Sequence, residues 1–569
     1  MSLFDPLVIL DPYPIDLYVA YRLDSVGGSG TMEDPWDGSS AAKLDNILST
    51  KLPATGPVTV HLGPAPATQP FLTGGYYEIA GSAGGGGWQL RAGLKIVGSG
   101  IDVTVLKLTG VTAGTGRHYF AAGHDLTVGG TSGGAANPAD YSEIAELTID
   151  CGLASASDNV ACGAVRVLGN HVKIRQVKAI NWGNRVSLKP GFVLAVLTSN
   201  PATSPPTTVV DAVIEGCIVI NPSVPTNGTL IKSEVLLLHA GGKDHDTTQL
   251  EAFGISPVIR ACFVDAQDPT APGSLGDGTD YRSKFRGISM ASCSAGVVTQ
   301  NIIQNCWYGG PFFTKWSARS VVVRNNSYRN VVSGPYASYP SSTIGSAITI
   351  SAVIRADATS TLARATATNH KLTTGDRVLV ANVTPSEFNG LFLVTTVSDA
   401  NTFEYRMLTR PASDGSGASK QMQKVVGVEK LVIDGNVIEL ATSVTTETPV
   451  GLKFDAVSTA IVGPAYVYGD VVLQGNQVRY LDGSLDPLLT GYASDVKGHR
   501  NLQVARNTVE AIPANPLKSG AGGATVYGDN RTPAGSLIQG YGTVTQALFN
   551  ELETDTDFAM LLGLFNDNP

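Results

Sequence analysis

Short apolar runs along the chain share one pattern: two hydrophobic residues, two variable residues, Asn or Cys, one variable residue and another hydrophobic residue, as in VIEGCIVIN (213–221). Because Asn tolerates left-handed backbone and bonds locally, each copy predicts two short strands around a tight bend. The Asn or Cys column of the eight copies reads Val177, Cys217, Cys262, Asn301, Asn326, Asn436, Asn476 and Asn507. A second Asn recurs four residues later at Asn181, Asn221, Asn305 and Asn330.

The spacing of the copies separates the possible β folds. Successive members of the column are 40, 45, 39, 25, 110, 40 and 31 residues apart. A β-propeller shows one uniform blade period, and a β-sandwich is the other alternative with many short strands. A solenoid instead keeps a fixed core register and accommodates insertions as loops that project from the coils. Its stacked Asn side chains can hydrogen-bond to one another along a ladder. The pattern therefore favours stacked parallel coils with an inward apolar column.

This pattern resembles that of right-handed parallel β-helix proteins, the pectate-lyase-like and phage tailspike-like superfamily. The resemblance implies an all-β fold: a right-handed parallel β-helix solenoid with a small inserted β domain and short terminal helical segments. We expect an N-terminal arm and capping helix (1–50), a first part of the helix (51–348), the insertion (349–425), a second part (426–531) and a C-terminal helical cap (532–569).

The insertion explains the long gap of 110 residues in the column. Its segment HKLTTGDRVLVANVTPSEFNG (370–390) alternates strand-like runs with turn residues, as a compact β module does. The segment resembles the first catalytic cysteine half-domain (FCCH) β-fold of ubiquitin-activating enzymes. No adenylation motif accompanies it, so the resemblance implies a projecting module for binding or spacing.

Charge and cysteine content exclude several classes of protein. Charged residues make up 15% of the chain and the formal net charge is −9, which lacks the basic footprint that nucleic-acid binding needs. The chain has no run of 18 apolar residues, so no membrane-spanning helix is predicted. The acidic N-terminus does not resemble an ordinary secretory signal. The six cysteines lie far apart, so we expect buried free thiols and no cysteine metal site.

Candidate chemistry on a β-helix comes from side chains that point outward from the strands. Glycan hydrolysis needs paired carboxylates, and Ca²⁺-assisted elimination needs carboxylates near a base. The weak catalytic candidates are Glu215, Asp265, Asp268, Asp277, Asp280 and Arg282. An exposed stacked ion pair of Glu215 with Arg260, and a solvated polar loop at 265–286, are the alternatives. No other cofactor is indicated, and His171 and His239 are expected in the core or in a groove.

An aromatic cluster is the stronger candidate for binding. WYGGPFFTKW contributes Trp307, Tyr308, Phe312, Phe313 and Trp316 within ten residues. Flat aromatic faces stack on the apolar faces of sugar rings when they are exposed. The alternative is that these rings pack against the helix or fill a subunit interface.

The sequence favours an extracellular or virion appendage, tailspike-like or tail-fibre-like, that binds surface glycans. Depolymerase activity is left open. The tailspike resemblance implies a homotrimer, and the N-terminal arm could contact other appendage or tail proteins. Two alternatives stay open: a secreted polysaccharide lyase or hydrolase of pectate-lyase-like fold, and a non-catalytic bacterial surface structural protein.

Overall fold

Parallel strand pairing dominates the structure, a computed structural model of the 569-residue chain. It describes residues 15–24, 27–73, 88–109, 116–122, 139–152, 161–184, 192–200, 207–208, 210–223, 235–242, 254–267, 285–291, 293–313, 320–337, 347–357, 359–407, 409–425, 430–442, 449–454, 468–481, 492–496, 499–510, 517–519, 524–528 and 530–531. The predicted C-terminal cap (532–569) lies outside these residues. The chain forms two compact units, the first from residues 1–337, 436–451 and 480–482 and the second from the remainder.

The first unit begins with a parallel pair of strands and a short helix. The α-helix Ala41–Asn46 starts at Ser40, whose hydroxyl accepts the backbone N–H of Lys43 at 3.4 Å, and continues as a π-helical turn over Ile47–Lys51. Leu44 and Ile47 are its buried residues, so this segment turns one apolar face toward the interior.

The strands of the first unit form two long parallel sheets and a small third one. The first sheet contains Ile15–Ala20, Trp36–Asp37, Val58–Leu62, Phe71–Thr73, Leu94–Val97, Val105–Leu108, Glu143–Asp150, Lys173–Ile180, Val213–Glu215, Ile218–Val219, Val258–Arg260, Phe263–Asp265, Gly296–Thr299, Ile302–Gln304, Ser320–Arg324, Ser327–Val331 and Val437–Leu440. The second contains Trp88–Gln89, Gly116–Ala122, Ala161–Leu168, Phe192–Asn200, Val235–Gly242, Phe285–Ala291, Phe312–Phe313 and Tyr336–Ala337, with Gly183–Asn184 and Thr207–Thr208 paired antiparallel at its margin. Gly254–Ile255 pairs with Cys293–Ser294.

Register in the first sheet places one apolar column inside every coil. The residues of this column pair with one another from strand to strand: Val60, Ile96, Ile144, Ile174, Ile214, Ile259, Val298 and Val323. All of them are buried. Burial of a continuous apolar column is the main stabilising contribution that stacked coils make. The predicted fold class, an all-β parallel β-helix, is confirmed by this pairing.

The Asn column forms the predicted ladder. In the first unit Asn301 donates from Nδ2 to Asn326 Oδ1 at 2.9 Å, and Asn326 donates to Asn436 Oδ1 at 2.9 Å. The backbone N–H groups of Asn301 and Asn326 reach the same oxygens, each at 3.0 Å. Cys262 continues the column, because its N–H donates to Asn301 Oδ1 at 3.0 Å. The ladder thus satisfies buried amides that would otherwise cost free energy.

The left-handed backbone lies one residue away from the predicted position. Ala261, Gln300 and Asn325 take φ of 53°, 58° and 55°, and each directly precedes a member of the ladder. The ladder residues point their amides into the coil, so the preceding residue makes the reversal. In the second Asn column the prediction is right: Asn181, Asn221, Asn305 and Asn330 have φ between 52° and 57°.

The second unit repeats the coil and adds an antiparallel module. Its parallel strands are Lys430–Asp434, Tyr468–Gln474, Tyr492–Val496, His499–Ala505, Thr508–Val509, Leu517–Ser519 and Ala524–Gly528, while Val450–Phe454 and Gln477–Tyr480 each include residues of both units. Its ladder runs from Asn476 to Asn507 and on to Asn530, with Nδ2–Oδ1 distances of 3.0 and 2.9 Å.

The module is a seven-stranded antiparallel sheet within 348–425. Its strands are Ile348–Thr349, Ala352–Arg355, Leu362–Thr366, Arg377–Ala381, Gly390–Asp399, Thr402–Arg406 and Gln421–Val425, with a 3₁₀ turn at Ser386–Phe388. It buries its own apolar cluster, which includes Phe388, Phe392, Phe403 and Tyr405. Its likeness to the FCCH fold stays a prediction.

Removal of a ladder amide should destabilise the second unit. Asn507 donates to Leu473 O and Asn530 Oδ1 and accepts from Asn476, all within the buried column. We therefore expect Asn507→Ala to lower the free energy of unfolding by about 1–3 kcal/mol. Asn501→Ala is the matched control, since half-buried Asn501 makes one side-chain bond, to Asp470 Oδ1 at 2.8 Å. Thermal unfolding that is equally shifted by both variants would contradict a special role for the ladder.

Candidate functional site

The outward face of the first sheet carries polar side chains in columns. Strand alternation sends Lys95, Glu143 and Lys173 outward, and register pairs Lys95 with Glu143 and Glu143 with Lys173. Two residues further along each strand, Val97, Ala145 and Arg175 form the neighbouring column. Adjacent members of a column lie about 4.8 Å apart because that is the spacing of paired strands. Residues far apart in sequence are therefore neighbours on this face.

The turns that enter three successive strands bring together Tyr141, His171 and Asp211. All three have left-handed backbone, with φ of 60°, 55° and 54°. This conformation is uncommon outside glycine. It is held here because their N–H groups donate to the carbonyls of Asn170, Val210 and Ile255 in the following coils, at 2.7, 2.8 and 2.9 Å. Coil stacking thus fixes the direction of all three side chains.

The three side chains form an ordered group. The ring of Tyr141 stacks on the imidazole of His171, with centroids 4.7 Å apart and planes inclined by 18°. His171 Nδ1 lies 3.2 Å from Asp211 Oδ2. Tyr141 is 61% exposed, so its outer face is open to solvent. A held aromatic face with hydrogen-bonding groups beside it suits a ligand that has both apolar faces and hydroxyl groups.

A cleft of about 370 Å³ opens beside this group, and we call it the Tyr141 cleft. It is lined by Lys95, Tyr141, Ser142, Glu143, His171, Lys173, Asp211 and Val213. Glu143 is buried, accepts a hydrogen bond from Arg175 Nε and lies 3.9 Å from Lys95 Nζ. Two lysines and two carboxylates line the cleft, so its formal charges cancel when His171 is neutral.

The predicted carboxylate Glu215 forms an ion pair. Its Oε1 lies 2.9 Å from Arg260 Nη2, and the two residues are register partners in adjacent strands. Both side chains are partly exposed, so the pair contributes little to stability. The geometry is that of the stacked ion pair considered above, and the catalytic role of Glu215 stays a prediction.

The predicted carboxylate Asp265 is part of a hydrogen-bond network. It accepts bonds from the N–H of Gln267 at 2.9 Å, from Gln304 Nε2 at 2.7 Å and from Asn305 Nδ2 at 2.8 Å. Asn330 Nδ2 in turn donates to Asn305 Oδ1 at 2.7 Å, so Asp265 begins a second ladder. These contacts describe an anchoring role for its carboxylate in the bend of the coil.

The remaining catalytic candidates are three aspartates and one arginine. Asp268, Asp277, Asp280 and Arg282 lie outside the described residues. Within the described part of the chain, no three His, Cys, Asp or Glu side chains come together as a group that could hold a metal ion. The Ca²⁺ site considered from the sequence therefore has no described ligand set.

The aromatic candidates that the structure describes are packed. Trp307 and Tyr308 are 7% and 6% exposed. Tyr308 stacks on Tyr336 with centroids 4.2 Å apart, and the guanidinium of Arg286 lies 3.8 Å from the centre of the Tyr308 ring. These contacts favour the packing alternative for both residues.

The other three aromatic candidates have no described side chain. The structure gives only the backbone of Phe312 and Phe313, as the strand Phe312–Phe313. Trp316 lies outside the described residues. The binding role of the set stays a prediction.

The sequence predicted His171 in the core or in a groove and did not identify Tyr141 or Asp211. The signal was available, because these residues each lie two positions before the outward column that contains Glu143, Lys173 and Val213. Extending the repeat alignment back through the turn would have placed the three side chains together.

The described cysteines are free thiols buried in the coils, as expected: Cys151, Cys217, Cys262, Cys293 and Cys306. Burial raises the pKa of the Cys293 thiol to about 12 and that of Cys262 well above its usual value. These two thiols stay protonated at neutral pH and offer no thiolate for a metal or for catalysis.

Comparison with known proteins adds structural neighbours. No protein-family model matches the chain, and no curated protein does. A double mutant of the tailspike protein of E. coli bacteriophage HK620 is similar with a TM-score of 0.45 and 10% identity, and the tailspike in complex with pentasaccharide gives 0.44 and 9%. Each similarity covers 88% of this chain and 62% of the tailspike chain. The chain thus spans under two thirds of those tailspikes.

A bacterial surface protein is similar to the same degree. The Streptococcus pneumoniae surface protein and adhesin PfbA has a TM-score of 0.44 and 9% identity, over 86% of this chain and 92% of that one. The fold assignment rests on the strand register given above. Among the described residues, no helix is long and apolar enough to cross a membrane.

Burial of Trp307 predicts a role in stability. Trp307→Ala should lower the free energy of unfolding by about 3–5 kcal/mol, the usual cost of truncating a buried Trp. Tyr141→Ala, an exposed aromatic-to-alanine control, should change it by only about 0.5 kcal/mol. Thermal unfolding checks both variants, and an unchanged midpoint for Trp307→Ala would contradict the packing interpretation.

Proposed function

We propose that the protein is an extracellular or virion appendage that binds surface glycans at the Tyr141 cleft. The observation that carries the proposal is the exposed Tyr141 ring, stacked at 4.7 Å on the His171 imidazole, whose Nδ1 lies 3.2 Å from Asp211 Oδ2. An exposed aromatic ring on a fixed support loses little conformational freedom when a sugar face stacks on it. Ligand stacking can therefore contribute most of its interaction energy to affinity.

The polar groups around the ring fit the same ligand class. Lys173 and Asp211 offer a donor and acceptors at the edge of the cleft, where sugar hydroxyl groups need partners. The cleft is an open concave surface along the outside of the coils, so a chain-like ligand can enter it sideways. These features support binding to a saccharide more than binding to a small apolar compound.

The proposal is one of binding. Among the described acidic candidates, Glu215 is engaged by Arg260, and Asp265 accepts three hydrogen bonds. In the cleft itself, Glu143 is engaged by Arg175. A general acid needs a carboxyl group that is free to reach the reacting oxygen, and each of these carboxylates is instead held by neighbouring side chains through hydrogen bonds or an ion pair.

A homotrimer is part of the same proposal, because the tailspike resemblance of the sequence pattern implies one. The N-terminal arm would then contact other appendage or tail proteins. Light scattering of the purified protein should give a mass near three times 59.2 kDa. A mass near 59.2 kDa would contradict the trimer and favour a monomeric secreted or surface protein.

Glycan binding can be tested on a printed array of bacterial capsular and O-chain polysaccharides. The wild-type chain should bind at least one of them, and Tyr141→Ala should weaken that binding about ten-fold or more, since an aromatic anchor contributes at least about 1.4 kcal/mol. Tyr141→Phe keeps the ring and should retain most of the affinity.

Ile354→Ala serves as the matched surface control, because Ile354 is an exposed apolar side chain in the module. Absence of binding to every polysaccharide would contradict the proposed function and favour a structural protein. Equal binding by wild type and Tyr141→Ala would place any glycan site elsewhere.

A further inference from the structure

A second group of Tyr, His and Asp lies on the first coils of the same unit. The ring of Tyr18 stacks on the imidazole of His61, with centroids 4.7 Å apart and planes inclined by 15°. His61 Nε2 lies 2.9 Å from Asp16 Oδ1. The ring separation equals that of Tyr141 and His171, and the inclinations are 15° and 18°. A carboxylate lies beside the imidazole in both groups, at Nε2 of His61 and at Nδ1 of His171.

Strand pairing explains why these side chains meet outside the coil. Ile15–Ala20 pairs in parallel with Val58–Leu62, and Tyr18 is the register partner of His61. Val58, Val60 and Leu62 point inward and are buried, so the alternate residue His61 points outward. The side chains of Asp16 and His61 are 51% and 36% exposed, which leaves their polar atoms accessible to a ligand.

The fold gains little from either group. Ion pairs between partly exposed side chains contribute little to stability, because solvent screens the charges and the side chains lose freedom when they pair. Two similar arrangements with little structural value are better explained by a ligand that each can bind. Both groups combine one stacked tyrosine ring with one imidazole–carboxylate pair, and Tyr18 is half-buried where Tyr141 is exposed.

A strip of outward register positions on the first sheet relates the two groups, although Ala145 on this strip is itself buried. Register runs from Tyr18 through His61 and Val97 to Ala145, and Tyr141 lies four residues before Ala145 in the same segment. Three strand steps of about 4.8 Å and four residues of about 3.3 Å place the two groups roughly 19 Å apart across the strip. A single sugar cannot reach both groups, whereas an oligosaccharide of several units can.

Charge along the strip is nearly balanced. Lys95, Lys173 and Arg175 supply three positive charges, and Asp16, Glu143, Glu146 and Asp211 supply four negative charges, with Glu146 Oε1 lying 3.8 Å from Arg175 Nη2. With the histidines counted as neutral, the formal net charge is −1, which gives little long-range attraction for an anionic or a cationic polymer. Stacking and hydrogen bonds to hydroxyl groups are then the interactions that select the ligand.

We propose that Tyr18, His61 and Asp16 form a second sugar subsite, and that one uncharged pyranose chain spans from it to the Tyr141 cleft. The inference rests on the proposed function and names its ligand class: the interior of a neutral polysaccharide, bound at two separated stacking positions.

The test uses the polysaccharide that gives the strongest array signal, cut by partial acid hydrolysis into disaccharide and octasaccharide fragments. Isothermal titration should find one octasaccharide but two disaccharides bound per chain. Tyr18→Ala should weaken octasaccharide binding about ten-fold and reduce the disaccharide count to one. Tyr18→Phe, which keeps the ring, should behave as wild type.

Circular dichroism and thermal unfolding confirm that each variant is folded, and His61→Ala provides a second variant on the opposite strand. Octasaccharide affinity that is lost in Tyr141→Ala but unchanged in folded Tyr18→Ala and His61→Ala would overturn the second subsite and leave the proposed function standing. Affinity unchanged in all three variants would overturn both.

Salt separates the neutral ligand class from a charged one. At about 1 M salt the Debye length falls to about 3 Å, so attraction between a charged polymer and the strip would be screened. We expect octasaccharide affinity to change by less than about two-fold. A loss of about ten-fold or more would overturn the assignment to an uncharged glycan.

Discussion

The side-chain amide of a buried Asn must find a partner for each of its polar atoms, and in this protein the partner is the next Asn along the solenoid. Asn326 accepts from Asn301 and donates to Asn436, while its Nδ2 also reaches the carbonyl of Val298 at 3.1 Å. A slip of one residue would leave several of these groups unpaired in the interior, at about 1–3 kcal/mol for each. The ladder therefore selects one register among those that the apolar column alone would tolerate.

The candidate binding surface depends on that register. Tyr141, His171 and Asp211 come from turns 30 and 40 residues apart, and they meet because successive coils stack without a shift. The same holds for Tyr18 and His61, which are 43 residues apart and directly paired. The interior fixes where each outward side chain stands, and the exterior is free to vary in chemistry. This division explains how a repetitive core can carry a specific site.

Much of the fold could be predicted because the pattern that encodes it is local. The Asn column and the apolar column recur within nine residues, so eight copies were visible in the sequence. Asn530, the last member of the ladder, was missed because the segment YGDNRT lacks the apolar residue that follows Asn in the other copies. The site was harder to predict, since Tyr141 and Asp211 carry no local motif. Trp307 and Tyr308 were conspicuous in sequence, but clustering of aromatics predicts burial as readily as binding.

Hydrogen exchange on the intact protein, followed by mass spectrometry, tests the central claim most directly. The account predicts that peptides with the backbone N–H groups of Asn301, Asn326, Asn476 and Asn507 exchange only through global opening of their unit, because each of these groups donates to a buried amide oxygen. Exposed turns of the module, such as the one around Gly375, should exchange far sooner. Ladder peptides that exchange as fast as those turns would contradict the claim that the buried amides hold the coils in register.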